Sequence, residues 1–270
     1  MRSVNLTSTG MKTLGGWIVA FVLIGIWQLA ASQAESLFFP PPTEIAKTAG
    51  ELWFSAGVSN GVLTDSFYED VVQSLQRLAI GLVIAIVVGV ILGVVLGRVR
   101  VVAQFVEPLL HFMRALPGPV LLPLALVLLG TGDAMRIALI SFGAVWPVLF
   151  NTYSAVRQVP EAFLDAAIVS RRSSVSTLFQ VILPSASAGI FAGIRTATGL
   201  GIILLVASEL VASSNGIGFG LMQSQRSFQF LKMWAFIVAL SILGYLTTLL
   251  LSGLERIFLL WHRLYLTIVA

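Results

Sequence analysis

Long apolar runs separated by short polar stretches set the pattern of the chain. Six stand out: Leu14–Ala31, Leu78–Gly97, Leu116–Gly130, Met135–Tyr153, about Ser185 to Ala212, and Trp234–Leu254. A helix that crosses a bilayer takes roughly 20 mostly apolar residues. The pattern therefore predicts an all-α integral membrane protein with six transmembrane helices. The third run is the shortest, and Arg114 stands just before it. Composition points the same way. The 270 residues are 57% hydrophobic and 10% charged. A soluble domain carries about a quarter charged residues, so too little charge is present to cover a water-facing surface.

Charge adds an orientation. With the N-terminus inside, the inner segments hold Arg2, Lys12, Arg98, Arg100, Arg114, Arg157, Arg171, Arg172, Arg256 and Arg263. The outer segments hold only Lys47, Arg77, Arg226 and Lys232, and Arg136 and Arg195 fall within spans. This bias places both termini in the cytoplasm. The same scatter of basic residues forms no stripe, so nucleic acid is not an expected partner. The first run, with Arg2 and Lys12 before it and "AASQA" at its end, also resembles a cleavable signal. It is longer than the usual h-region and reads as an uncleaved span. "FFPPPTEIAKTAGELW" then opens an outer loop, with helix from Thr43 as N-cap ahead of Glu44. Trp53, Phe54 and Phe67 suit an interfacial position. The layout divides the chain into 1–77, first span and external loop; 78–260, a transmembrane core containing loop 160–184; and 261–270, a cytoplasmic tail.

Several chemistries find no footing. A phosphate-cradling loop needs a Gly-Lys pair, and Lys12, Lys47 and Lys232 follow Met11, Ala46 and Leu231. "NGIGFG", Asn215–Gly220, reads as a turn using glycine's access to positive φ. His111 and Glu107, four residues apart, can meet on one helix face, but a zinc site needs three or four ligands. His262 has no such neighbour, and the chain has no cysteine. No catalytic residue and no metal site is expected.

One charged segment interrupts the apolar pattern: "PEAFLDAAIVSRRSSVSTLFQVILP", Pro160–Pro184. Pro160 suits the start of a helix. Glu161 and Asp165 near that start, and Arg171 and Arg172 near its end, complement the helix dipole. Phe163, Ala166, Ala167 and Ser170 share one face, small groups around one aromatic, with Leu164 and Ile168 beside it. Periodicity alone fits a helix lying in lipid headgroups as well as one docking on a partner.

Asp165-Ala166-Ala167 followed by Val181-Ile182-Leu183-Pro184 resembles the Glu-Ala-Ala loop of ABC-importer permeases. The likeness extends from about Phe38 to Leu260, through "FFPPPTEI", "SLQRLAIGLVIAIVVGVILGVVLG", "RALPGPVLLPLALVLLGTGDAMRIALISFGAVWPVLFNT" and "GIRTATGLGIILLVASELVASSNGIGFGL". These stretches are similar to permeases for nitrate, sulfonates and taurine. The resemblance implies a type I importer fold with a cytoplasmic coupling helix between spans four and five. It implies a bacterial inner-membrane permease, paired with a second copy, with a cytoplasmic ABC ATPase dimer that binds ATP and Mg, and with an external solute-binding protein. This chain would be non-catalytic and hold no cofactor. Its ATPase-coupling residues would be Glu161, Phe163, Asp165, Ala166, Ala167, Arg171, Arg172, Leu183 and Pro184. The family has a glycine where this chain has Arg171; arginine disfavours the sharp turn there, which leaves the helix to run a little further.

Within the spans, Gly89, Gly93 and Gly97 recur every fourth residue, with Gly81 near the same face, and Gly193, Gly199 and Gly201 lie in the fifth. Such glycines let helices approach closely. Arg195 would lie about 15 Å into the fifth span, where an unpaired arginine costs at least about 2.5–3.5 kcal/mol. It either faces a hydrated path or is satisfied by another span. Asn151 would line the path's inner end or bond another helix, and Glu209 would organise an outer gate near the "NGIGFG" turn. These three are the expected pathway residues. A stand-alone secondary transporter or channel is the other function open to such a chain, but no inverted repeat is visible.

Overall fold

The computed structural model describes residues 6–34, 36–55 and 63–258. They form helices α1 (Leu6–Ala34), α2 (Pro42–Trp53), α3 (Asp65–Phe67), α4 (Gln73–Arg98), α5 (Arg100–Ala115), α6 (Leu122–Leu129), α7 (Asp133–Arg157), α8 (Glu161–Val169), α9 (Ser174–Thr177), α10 (Leu183–Ala212), α11 (Ile217–Arg226) and α12 (Phe230–Phe258). No strand occurs among the described residues. A π turn, Tyr68–Val72, joins α3 to α4, and another, Leu178–Ile182, joins α9 to α10. The expected tail, with His262 and Arg263, lies outside the described residues.

Among the described residues, five helical runs are long and apolar enough to cross a membrane: Gly16–Ala34, Asp65–Arg98, Asp133–Arg157, Ser174–Val211 and Phe230–Phe258. The third expected span is different. Arg100–Ala115 and Gly118–Leu129 form a pair bent by 84°. Leu116 is extended, with φ −71° and ψ 118°, because the ring of Pro117 excludes the helical region for the residue before it. A 3₁₀ turn, Gly118–Leu121, then leads into the eight residues of α6. The run Leu116–Gly130 is thus the second arm of a broken element that begins at Arg100, not a straight helix.

Two compact units arise, Met1–Tyr68 with Gly220–Val238 and Glu69–Phe219 with Ala239–Ala270. The first is organised by aromatic rings. Trp27 lies 5.3 Å from Trp234 and 5.8 Å from Phe39, centroid to centroid, and Trp234 Nε1 donates to Phe38 O at 3.0 Å. Trp53, expected at the interface, is buried edge-on against Phe236. Helix α2 starts two residues earlier than expected, at Pro42, with Pro41 at the cap position. Proline fits there because a first-turn N–H has no helical acceptor in any case. Thr43 is therefore not the N-cap; its backbone N–H donates to Gln28 Oε1 at 3.2 Å.

The second unit is built on α4, α7 and α10. A Cβ placed on Gly81, Gly89, Gly93 or Gly97 would come within 2.6–2.8 Å of Ile140, Val148, Thr152 or Val156 respectively. The four glycines thus make one seam with α7, as their spacing predicts. Each partner lies the same number of residues further along the chain, so α4 and α7 run parallel. The intervening chain must return to its starting side, and the bent α5–α6 element makes that return. Helix α10 runs the other way, with Gly189 against Ala155 and Gly193 against Pro147 and Asn151. Gly199, by contrast, faces open space.

Candidate functional site

Three features of the second unit follow one another along α7. At its start lies a buried charge network. Arg77 and Glu209 are 3% and 1% exposed, and Nη1 of Arg77 lies 2.7 Å from Glu209 Oε1. Arg77 Nε donates to Asp133 Oδ1 at 2.8 Å, which also accepts from Arg136 Nη1 at 2.8 Å. The remaining N–H groups of Arg77 reach Asn215 O at 3.3 Å, Gln73 Oε1 at 3.1 Å, and Asn215 Oδ1. A guanidinium has five N–H donors, and all five are used. Glu209 also accepts from Ser74 Oγ at 2.8 Å and from the N–H of Gly218 at 2.9 Å, while Ile217 N–H donates to Ser74 Oγ.

This network explains the "NGIGFG" turn. Gly216 has φ +106°, and a Cβ there would sit 2.5 Å from Glu209 Oε1; one on Gly218 would sit 2.7 Å from Glu209 Cβ. Glu209 therefore contacts this turn at Gly216 and Gly218. Its partner Arg77 had no signal as a partner in the sequence, where it reads only as a loop charge. Breaking such a buried pair costs about 3–5 kcal/mol, because the survivor keeps its desolvation without compensation.

At the middle of α7 lies a cavity of about 460 Å³. Gly143 of α7 and Gly118 let Leu204 of α10 pack into its wall, where Cβ atoms would clash at 2.1 and 2.6 Å. Arg114, Trp146, Asn151 and Thr196 supply its polar groups. Of the three expected pathway residues, only Asn151 lines it, with Nδ2 donating to Pro147 O at 2.8 Å. Glu209 is held in the network. Arg195 is half-exposed and ion-paired with Glu255 of α12, so its charge is met by another span. Sequence reasoning had no means to find Arg114, Trp146 and Thr196 as one group, since they converge from three helices.

Beyond the end of α7 comes the loop with α8. Leu164 packs against the cluster of Val156, Val159, Ile182 and Ala186, and Ala167 is buried. The expected outward face thus loses Ala167 and keeps Phe163, Ala166 and Ser170, beside exposed Glu161, Asp165, Ile168 and Val169. Helix α8 does not run on. It stops at Val169, and Arg171 adopts φ +53°. Arg171 N–H donates to Ile168 O at 2.9 Å and Arg172 N–H to Ala167 O at 3.0 Å. These two bonds are the Schellman closure, whose left-handed residue is normally glycine. Left-handed backbone costs a residue with a Cβ about 1–2 kcal/mol; two hydrogen bonds and the buried Ala167 outweigh it. Arg171 thus holds the conformation a glycine would, with its side chain exposed.

The loop then re-enters the core through one continuous helical run from Ser174. Ser173 caps it, accepting from Ser176 N–H at 3.2 Å. Pro184 lacks an N–H and its ring would crowd the carbonyl four residues back. The π turn absorbs this: Leu183 N–H donates five residues back, to Leu178 O. Leu183 and Pro184 are therefore the place where the loop locks onto α10.

A family model described as the binding-protein-dependent transport system inner membrane component matches residues 85–258. The chain is 29% identical over 261 residues to a putative aliphatic sulfonates transport permease protein, SsuC, of Bacillus subtilis, covering 95% of this chain and 91% of that one. It is 30% identical over 251 residues to the taurine transport system permease protein TauC of Escherichia coli, covering 93% and 90%. It is 28% identical over 246 residues to the nitrate import permease protein NrtB of Synechocystis sp., covering 91% and 89%. A chain of the MetNI methionine ABC transporter, in an inward-facing conformation, superposes with a TM-score of 0.56 at 22% identity, over 72% of this chain and 94% of that one. The chain belongs to the family of inner membrane components of binding-protein-dependent transport systems, and it is a permease subunit of an ABC importer for small solutes.

Proposed function

We propose that the chain forms, with a second copy of itself, the path for a small oxyanion, and that a separate ATPase pair drives it through α8. The relatives named for sulfonates, taurine and nitrate support that solute class. An external binding protein delivers the solute, and the loop end, with both termini, faces the cytoplasm. ATP and Mg belong to the ATPase; this chain supplies the path and the lever.

The observation that carries the reading is the closure of α8. The helix is ended sharply and tied inward by Leu164 and Ala167, so a push on its outer face is transmitted to α7 and α10. Exposed Arg171 and Arg172 offer two positive charges to acidic groups on the ATPase. Replacing both by glutamate should reduce copurification of the ATPase and its solute-stimulated turnover. Unchanged assembly and turnover would contradict the proposal.

A further inference from the structure

The cavity between the network and the loop has one sign of charge. Arg114 is the one ionisable group among the described residues that line it. The guanidinium lies 4.7 Å from the ring centroid of Phe150, and His111 stacks on that ring at 4.9 Å. Glu107, on the same helix, lies 3.7 Å from His111 Nε2. Phe150 thus holds Arg114 by a cation–π contact, which leaves its N–H groups to other acceptors.

A second observation is independent of Arg114. Trp146 lines the cavity, and its indole N–H is buried with no acceptor. A buried donor without a partner costs about 1–3 kcal/mol, and indole can only donate. Asn151 gives one amide proton to Pro147 O and has a second to offer. Thr196 Oγ1 donates to Ala192 O at 3.1 Å and so adds no donor. Arg114 is the one charge on this wall, with the second amide proton of Asn151 beside it and the oxygens of Asn151 and Thr196 as acceptors, and an oxyanion is the ligand that answers the charge.

Resting on the permease reading above, we infer that this cavity is a binding station for a small oxyanion, with Arg114 supplying the charge and Trp146 and Asn151 orienting the oxygens. A cation would meet no counter-charge there. A neutral solute would leave the exposed Arg114 guanidinium without a counter-charge. The station sits midway along α7 and α10, between the buried network and the loop.

The test is calorimetric titration of the full chain, copurified with its ATPase in nanodiscs, at constant ionic strength. The probes are sodium methanesulfonate and methanesulfonamide, a neutral molecule of nearly the same shape. Methanesulfonate should bind saturably and methanesulfonamide should not. Arg114→Gln should weaken methanesulfonate binding about tenfold or more, as loss of a charged hydrogen bond implies. Arg114→Lys should retain most of it, and Trp146→Phe, which keeps the ring and removes the N–H, should lose several-fold. Absence of saturable binding to the unmodified complex, equal binding of the neutral probe, or unchanged affinity in Arg114→Gln would each overturn the inference. Copurification of the ATPase in the same samples reports separately on the permease reading.

Discussion

Arg77 and Arg171 belong to the same unit and are used in opposite ways. Arg77 is buried, its five donors are spent, and it lies beside a carboxylate that is itself fully buried. Arg171 is exposed, occupies a backbone conformation that suits glycine, and has its charge directed at solvent. The difference separates two roles for charge in an apolar chain. At the start of α7, charge fixes the relative placement of α4, α7 and the α10–α11 turn. Beyond its end, charge is kept available at some cost in backbone strain. The buried arginine acts as an internal latch, and the exposed one serves docking under the function proposed above.

The largest effect is expected at the latch. Glu209→Gln leaves buried Arg77 with half-exposed Asp133, which Arg136 shares, as its one remaining counter-charge and should destabilise the chain by about 3 kcal/mol. Thermal unfolding of the purified protein checks this, and a midpoint equal to the unmodified protein's would mean that the network is not structural. Gly93→Ala should come next. Its methyl group would meet Thr152 Cβ at 2.6 Å, with Leu149 O at 2.8 Å, and overpacking of this kind costs about 1–3 kcal/mol. The same substitution at Gly199, which faces open space, is the matched control.

Smaller effects are expected at the α8 loop. Arg171→Gly should relieve about 1 kcal/mol of backbone strain, while Arg171→Val should cost more than it saves. A higher melting midpoint in the glycine variant, together with weaker ATPase binding, would separate conformation from charge at this position. Arg195→Gln should change stability least. Its pair with Glu255 is half-exposed, and after allowance for solvent such pairs contribute about 0–1 kcal/mol. Uptake should survive this change, whereas loss of uptake with intact assembly would return Arg195 to the path.

Much of this arrangement is legible in the residues. Five spans follow from apolar length alone, and the glycine seam of α4 follows from a four-residue spacing. The sixth crossing does not, because Pro117 and Pro119 break it where composition stays apolar. The chain from Arg100 to Ala115 carries too many polar residues to register as part of a span. At α8 the sequence locates the helix but misjudges its end. Arginine's preference argues against a left-handed turn, yet the two closing hydrogen bonds decide it. Glu209 can be placed near its turn from spacing, but its pairing with Arg77 joins residues 132 positions apart. No local pattern encodes such a pair.

The absence of cysteine from the chain allows the two ends of α7 to be probed separately. Single cysteines at Ser170→Cys, the exposed cap residue after α8, and at Ala134→Cys, an exposed position in the first turn of α7, would be labelled with maleimide with and without the ATPase bound. The account predicts that ATPase binding protects position 170 strongly and leaves position 134 unchanged. Equal labelling of position 170 in both states would contradict it.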